Sequence, residues 1–446
     1  MKIKKFEVKG YRSLRSVTLD DLGDCNTFYG PNGSGKSNIL DALQTLFSVM
    51  PIAVDTAYGL EEDQRLSFRE GGRLAAEFIQ DEDFFARADT QSIEMAATLE
   101  DPDTRFNNAS FNGRIVERLE IVIAFWRVRP GQYGLQFKRL YINSDRPGLP
   151  FSDPAIRDLL RVFVPTAFTH LGVTRTLTVS ASGRLDENNA YASRMIGTIP
   201  DGEVVRTLFE AKNARESEMR ERFDTVRNFM MNNLGRGPFD IFIDAKSKKL
   251  EFVEKLSEPN PLGRDIPIDR AGHGVVQMYA IVATILLAGS PLVAIEEPEA
   301  HLHAPTLGRQ LRMILHEMVK TRKINQLFIA THSNLFDLDS TRYWDVSLVD
   351  GETHVVPKSL DELDRLHLFE PGPAKHQIQE MLRLYGDEVV FTTNDGRELH
   401  AREMLASLQA DDDIAQAFLN ALHAAAMQVT GLRAKRARAA REEKVT

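Results

Sequence analysis

Between Phe28 and Leu40 the chain reads FYGPNGSGKSNIL, with Gly30, Gly35, Lys36 and Ser37 at the spacing G-x-x-x-x-G-K-[ST]. That pattern wraps backbone N–H groups around a polyphosphate, sends the lysine to the outer phosphates and gives the hydroxyl to Mg²⁺. Pro31, Asn32, Gly33 and Ser34 complete the loop, and Asn38 flanks it. A second stretch, PLVAIEEPE from Pro291 to Glu299, is apolar until it meets Glu296 and Glu297. Two adjacent carboxylates after such a run need a reason. Glu296 could hold a Mg²⁺ shell, directly or through water, and Glu297 could orient and deprotonate an attacking water. A third stretch, QLFIAT, ends in His332 and Ser333; a histidine there either senses the outermost phosphate or is satisfied within a turn. His301 and His303, near Glu299, make a weaker case for a metal, because metal ligands normally converge from several segments.

These groups need strands and helices to aim them. Cys25 to Tyr29 is short and apolar enough for a strand, and Ile39, Leu40, Leu43, Leu46 and Phe47 recur at helical spacing, so the loop would end at a helix N-terminus. The apolar runs before Glu296 and His332 read as buried strands of a parallel sheet. Alternating runs in Met1 to Leu19 predict a hairpin joined around Gly10. Arg73 to Ile79, Ser92 to Leu99, Leu119 to Val128 and Tyr133 to Ile142 predict strands of a flanking antiparallel sheet. Residues 153–235 read as mostly helical. The charge-dense stretch from Gly202 to Asn233 is either a solvated helix with one packed face or a short arm toward a partner or DNA. Phe239 to Ile243 and Leu250 to Val253 predict a hairpin, as do Tyr343 to Leu348 and Thr353 to Val356 around Asp350-Gly351. Val275 to Ala288 is apolar nearly all round, hence a buried helix. Residues 360–385 and 398–429 read as helical, and the terminal run GLRAKRARAAREEKVT is a solvated tail or a short basic arm.

Length and composition set the outer bounds. The 446 residues suit two or three domains with an ample core. A formal charge of −9 argues against a uniformly basic surface while leaving room for a local basic groove. One cysteine, Cys25, excludes an internal disulfide framework and fits a reducing, cytoplasmic setting. The N-terminus lacks the apolar stretch of a signal peptide, and the longest apolar run, Val275 to Leu287, is too short to span a bilayer. No membrane association is expected.

Taken together, FEVKGYRSL…TFYGPNGSGKSNILDAL, GHGVVQ, AIEEPEAHLH and FIATHS resemble the ABC-type P-loop ATPases of the SMC, RecF and overcoming-lysogenization-defect (OLD) group, with EEPEAHLH and ATHS most like the OLD-like members. The resemblance covers residues 1–50 and 265–350 with specific motifs. It implies an α/β fold with a mixed central sheet, a flanking antiparallel sheet and an inserted helical region, arranged as 1–150, 151–235, 236–358 and 359–446. It implies ATP and Mg²⁺ as cofactors, Gly30 to Ser37 as the phosphate loop, Ser37 and Glu296 at the metal, Glu297 as general base and His332 as the switch histidine. Gly272, His273 and Gly274 take the place of the signature motif, which contacts the γ-phosphate of an opposing subunit, so that ATP is sandwiched in a dimer. The signature serine is absent there, which leaves the work to backbone N–H groups. A lid glutamine is unassigned among Gln80, Gln132 and Gln136. The metal-binding carboxylates of a Toprim nuclease domain are missing after His332, so the expected role is the sensor or regulatory subunit of an antiphage system with a separate effector, or a DNA-maintenance ATPase that binds DNA.

Overall fold

The computed structural model describes residues 1–54, 75–85, 92–101, 110–111, 114–144, 151, 160, 168–173, 204–234, 238–243, 250–255, 266–300, 302, 305–333, 336, 342–358, 378, 382–383, 385–393, 396–410, 414–415, 417–419 and 421–422. His301 and His303 lie outside them.

Six strands form the central sheet, in the order Glu352–Lys358, Arg342–Val349, Cys25–Tyr29, Gln326–Thr331, Leu292–Glu296, Phe168–Leu171. The last five are mutually parallel, and Glu352–Lys358 is an antiparallel edge. Parallel strands covered on both faces read as continuous apolar runs, and the three middle strands of the site are buried throughout. Side-chain alternation sorts them between two cores. Leu292, Ala294, Phe328, Ala330 and Phe168 face helix α1 (Lys36–Val54) and the flanking sheet. Val293, Ile295, Leu327, Ile329 and Leu171 face the helices Val204–Lys212, Ser217–Leu234, His273–Ala288 and Pro305–Lys320.

The flanking sheet is antiparallel, in the order Leu14–Leu19, Lys2–Tyr11, Ser92–Glu100, Arg118–Arg129, Gln132–Ile142. Gln326 ties the two sheets together: its buried amide accepts from Ile3 N–H at 2.7 Å and donates to the carbonyls of Ile3 and Gly23, each at 2.8 Å. The expected α/β architecture, with mixed central sheet, antiparallel flanking sheet and helices inserted between the halves of the core, is therefore the observed one.

Four local expectations differ. Residues 75–78 are helical rather than extended: Ala75 and Ile79 are buried one turn apart while Ala76 and Glu77 are exposed, and Ile79 N–H donates to Ala75 carbonyl at 3.0 Å. Residues 168–171 form a strand inside the region expected to be helical. The first hairpin turns at Arg12-Ser13, Tyr11 pairing with Leu14, whereas Gly10 sits within the strand Lys2–Tyr11 at φ +74°, where a Cβ would lie 2.4 Å from the Ser92 carbonyl oxygen. Glu398–His400 is a strand paired with Val389–Thr392, and the helix starts after it at Ala401.

The chain divides into two compact units, residues 1–363 and 364–446. The second unit has its own small core around Leu382, Leu399, Met404, Leu408 and Phe418. No helix among the described residues is long and apolar enough to cross a membrane.

Candidate active site

The phosphate loop leaves the C-terminal end of the strand Cys25–Tyr29 and enters α1 at Lys36. Gly35 has φ +102°, and a Cβ there would meet Thr353 Oγ1 at 2.1 Å. At Gly33, φ is +77° and nothing lies within 4 Å of where a Cβ would be. The loop is thus braced on its Gly35 side and open at Gly33, as a cradle for an anion requires. Thr353 is the brace: its hydroxyl donates to Ser34 carbonyl at 3.0 Å and lies 2.6 Å from Ser13 Oγ. Asn38 donates to the same Ser13 Oγ at 2.7 Å.

Lys36 is 6% exposed, and its ammonium donates to the carbonyls of Gly30 at 2.8 Å and Pro31 at 2.9 Å. Burial pushes its pKa down; the carboxylates of Glu297, Glu299 and Glu296 act in the opposite sense. The lysine is held at the loop's own rim, toward the carboxyl groups of Glu296, Glu297 and Glu299.

Ser37 is the second residue of α1, and its hydroxyl donates to Glu296 Oε2 at 2.9 Å. The loop and the carboxylate strand are therefore joined at the pair of oxygens expected to hold a cation. A hydroxyl and a carboxylate suit a hard, oxygen-seeking ion such as Mg²⁺. Beyond Glu296 the chain kinks. Glu297 takes a positive φ of 39°, a strained conformation for a non-glycine residue, and is fixed by its N–H donating to Ala330 carbonyl at 2.7 Å. The kink ends strand alternation and brings Glu297 and Glu299 together before His332. His332 Nδ1 lies 3.8 Å from Glu297 Oε1 and 3.6 Å from Glu299 Oε1. Glu299 accepts from the Thr331 hydroxyl and, at 3.3 Å, from His332 N–H. Burial pushes its carboxyl above the usual range, opposed by those hydrogen bonds and by His332.

Gly272 has φ +91° and caps the buried helix His273–Ala288, its carbonyl accepting from Val275 and Val276 N–H. Gly272 and His273 are exposed, and no atom crowds the Cβ position of Gly272. None of the hydrogen bonds or ion pairs described above links this helix end to the phosphate loop.

Several residues join the site unforeseen. Glu296 Oε1 lies 3.0 Å from His170 Nε2, on the strand Phe168–Leu171. His170 Nδ1 lies 2.6 Å from Gln44 Oε1 and 3.7 Å from Asp41 Oδ1, both on α1. Arg12 donates to Asp41 and, at 2.7 Å, to Asp83. Burial raises the Asp41 carboxyl, while Arg12 and His170 act to lower it. Asp41, His170 and Glu296 each offer one ligand atom within 4.8 Å of the others. The imidazole turns Nε2 to Glu296 and Nδ1 to Gln44, with Asp41 farther off at 3.7 Å. The glutamine brought against the site is Gln44; Gln132 and Gln136 stand on the flanking sheet, and Gln80 beside it.

A Gly-rich loop between a parallel strand and a helix, with its serine joined to a carboxylate at the tip of the next strand but one, defines a P-loop nucleotide-binding fold. Residues 25–339, well over half of the chain, match the family described as "AAA domain, putative AbiEii toxin, Type IV TA system", and the chain belongs to that family. A stretch of 46 residues is 44% identical to the DNA replication and repair protein RecF of Acinetobacter baylyi. That match spans 10% of this chain and 13% of the relative. Among solved structures, the SMC head domain from Thermotoga maritima is similar at 15% identity with a TM-score of 0.43, over 81% of this chain and all of that one. An Smc head domain bound to the C-terminal domain of ScpA, from Pyrococcus furiosus, gives 16% identity and a TM-score of 0.46, over 85% of this chain and 99% of that one. Both scores are below 0.5, so the family assignment rests on the sequence match.

Proposed function

We propose that the protein binds ATP with Mg²⁺ and hydrolyses it, and that the nucleotide is shared between two copies of the chain. The supporting observation is the Ser37–Glu296 hydrogen bond of 2.9 Å, which brings the phosphate loop to the strand tip that carries Glu297. Gly30 to Ser37, flanked by Asn38, would receive the polyphosphate, with Lys36 leaving its loop carbonyls for the outer phosphate oxygens. Ser37 and Glu296 would hold Mg²⁺, which supplies charge neutralisation when bound. Glu297 accepts the proton of the attacking water as its oxygen bonds to the terminal phosphorus and the bridging P–O bond breaks, and His332 stands beside the same phosphoryl group. The exposed helix end at Gly272, His273 and Gly274 would direct backbone N–H groups to the nucleotide of a second copy.

The test is Glu297→Gln. ATP turnover should fall by at least about 100-fold, the scale of losing a general base, with nucleotide affinity retained. Full turnover would remove Glu297 from that role.

As the wider role we infer an OLD-like sensor or regulatory subunit of an antiphage system whose effector is a separate protein. The family's toxin–antitoxin description supports the defence setting of this reading. The second reading, a RecF-like DNA-maintenance ATPase without an effector, is supported by the short RecF match. Copurification of a nuclease or toxin from the native host favours the first. Salt-dependent binding to gapped DNA by the isolated protein favours the second.

A further inference from the structure

Strand parity decides which side chains meet behind the phosphate loop. Along the carboxylate strand, Leu292 and Ala294 face α1, and Glu296 follows in the same alternation. Its outer neighbour runs parallel, with Phe168 opposite Leu292 and His170 opposite Ala294. His170 and Glu296 are thus on the same face, one diagonal step apart, both turned toward α1. The histidine is an edge-strand residue, yet its side chain is only 7% exposed because α1 covers it.

Glu296 therefore has its two oxygens assigned. Oε2 accepts from Ser37 at 2.9 Å, and Oε1 lies 3.0 Å from His170 Nε2. Carboxylate torsions are broad when nothing fixes them, and a ligand that must meet a small, geometrically strict cation gains from a second anchor. With Nε2–H donating to Glu296, Nδ1 of the neutral ring is an acceptor, and Gln44, 2.6 Å away, satisfies it by turning its amide N–H toward the ring. Gln44 lies two helical turns after Ser37 on α1, so one rigid helix both supplies the hydroxyl and holds the ring that brace the carboxylate.

We propose that His170 is a positioning residue for the cation: it anchors Oε1 of Glu296 so that Oε2 stays aimed at the Ser37 side. The proposal rests on Ser37 and Glu296 being the Mg²⁺ pair. His170 touches the carboxylate and not the reacting atoms, so its removal weakens the cation more than the nucleotide. An imidazole suits the task, because a rigid ring wedged between α1 and the strand loses little freedom in making the contact.

Mn²⁺ serves as the probe, titrated by electron paramagnetic resonance into the full-length protein with a non-hydrolysable ATP analogue. His170→Ala should weaken Mn²⁺ about 10- to 100-fold, the usual cost of losing a group that orients a metal ligand, while analogue affinity in EDTA changes by less than about twofold. His170→Gln, whose amide N–H can reach the same oxygen, should recover most of the loss. Unchanged Mn²⁺ affinity in His170→Ala, an equal loss of metal-free analogue binding, or a glutamine variant no better than alanine would each overturn the proposal. Glu296→Gln separates the two levels. If it loses Mn²⁺ and His170→Ala does not, the positioning role alone is wrong. If neither loses Mn²⁺, the cation pair itself is wrong and the proposal goes with it.

Discussion

The central and flanking sheets follow different rules. In the central sheet, Cys25–Tyr29, Leu292–Glu296 and Gln326–Thr331 are buried along their whole length, because helices cover one face while α1 and the flanking sheet cover the other. In the flanking sheet, Ser92–Glu100 and Arg118–Arg129 alternate between buried and half-exposed positions over most of their length. A polar residue in the alternating sheet can be ordinary surface. At the end of a doubly covered strand it has to be explained, and such ends carry Glu296, the kinked Glu297 and His332. The flanking sheet reaches the site through its first turn, where Arg12 donates to Asp41.

Charge removal tests this contrast with the largest expected effect. Lys36→Ala should weaken nucleotide binding by at least about 100-fold, since two or more charge-assisted hydrogen bonds to phosphate are lost. Lys138→Ala, which removes an exposed pair with Glu94 on the flanking sheet, should leave binding unchanged. Titration with a fluorescent nucleotide measures both, and wild-type affinity in Lys36→Ala would undo the phosphate loop. A subtler pair is Ile295→Val and Ile123→Val, one in each sheet and both fully buried. Each should cost about 0.5–1.5 kcal/mol in denaturant unfolding. Turnover should fall several-fold only for Ile295→Val, because Ile295 adjoins Glu296 while Ile123 adjoins nothing catalytic; equal losses would erase the functional difference between the sheets.

Much of the site was legible because its chemistry lies at the ends of apolar runs. The loop, Glu296, Glu297 and His332 each follow a run whose length and composition demand a strand, and strand ends converge in a parallel sheet. What was not legible depends on register and on contacts between distant segments. FTHL is four residues within a region patterned as helical, so nothing local marked His170 as belonging to a strand beside Glu296. Asp41 is four residues after Ser37, a visible same-face neighbour, but its partners Arg12 and His170 come from 29 residues before it and 129 residues after it. Thr353 is an ordinary hairpin threonine until the fold sets its hydroxyl against Gly35. The error over residues 75–78 has a different cause: a single helical turn shows too little periodicity to distinguish it from an alternating strand.

The smallest effect concerns a titrating group. Glu299 is a buried carboxyl between Thr331 and His332, and its Oε2 has no hydrogen-bond partner. Burial raises its pKa, so the fold disfavours the ionised form. Below the unfolded carboxyl's pKa of about 4.3, the group is protonated in both states and the folded form has its full stability. As pH rises through the raised folded value that contribution is lost. Glu299→Gln keeps an oxygen for Thr331 and His332 N–H but cannot ionise. Its melting temperature relative to wild type should therefore climb as pH rises from about 4. A flat profile for Glu299→Gln would mean that the doubly covered sheet does not extend its dry environment past Glu297.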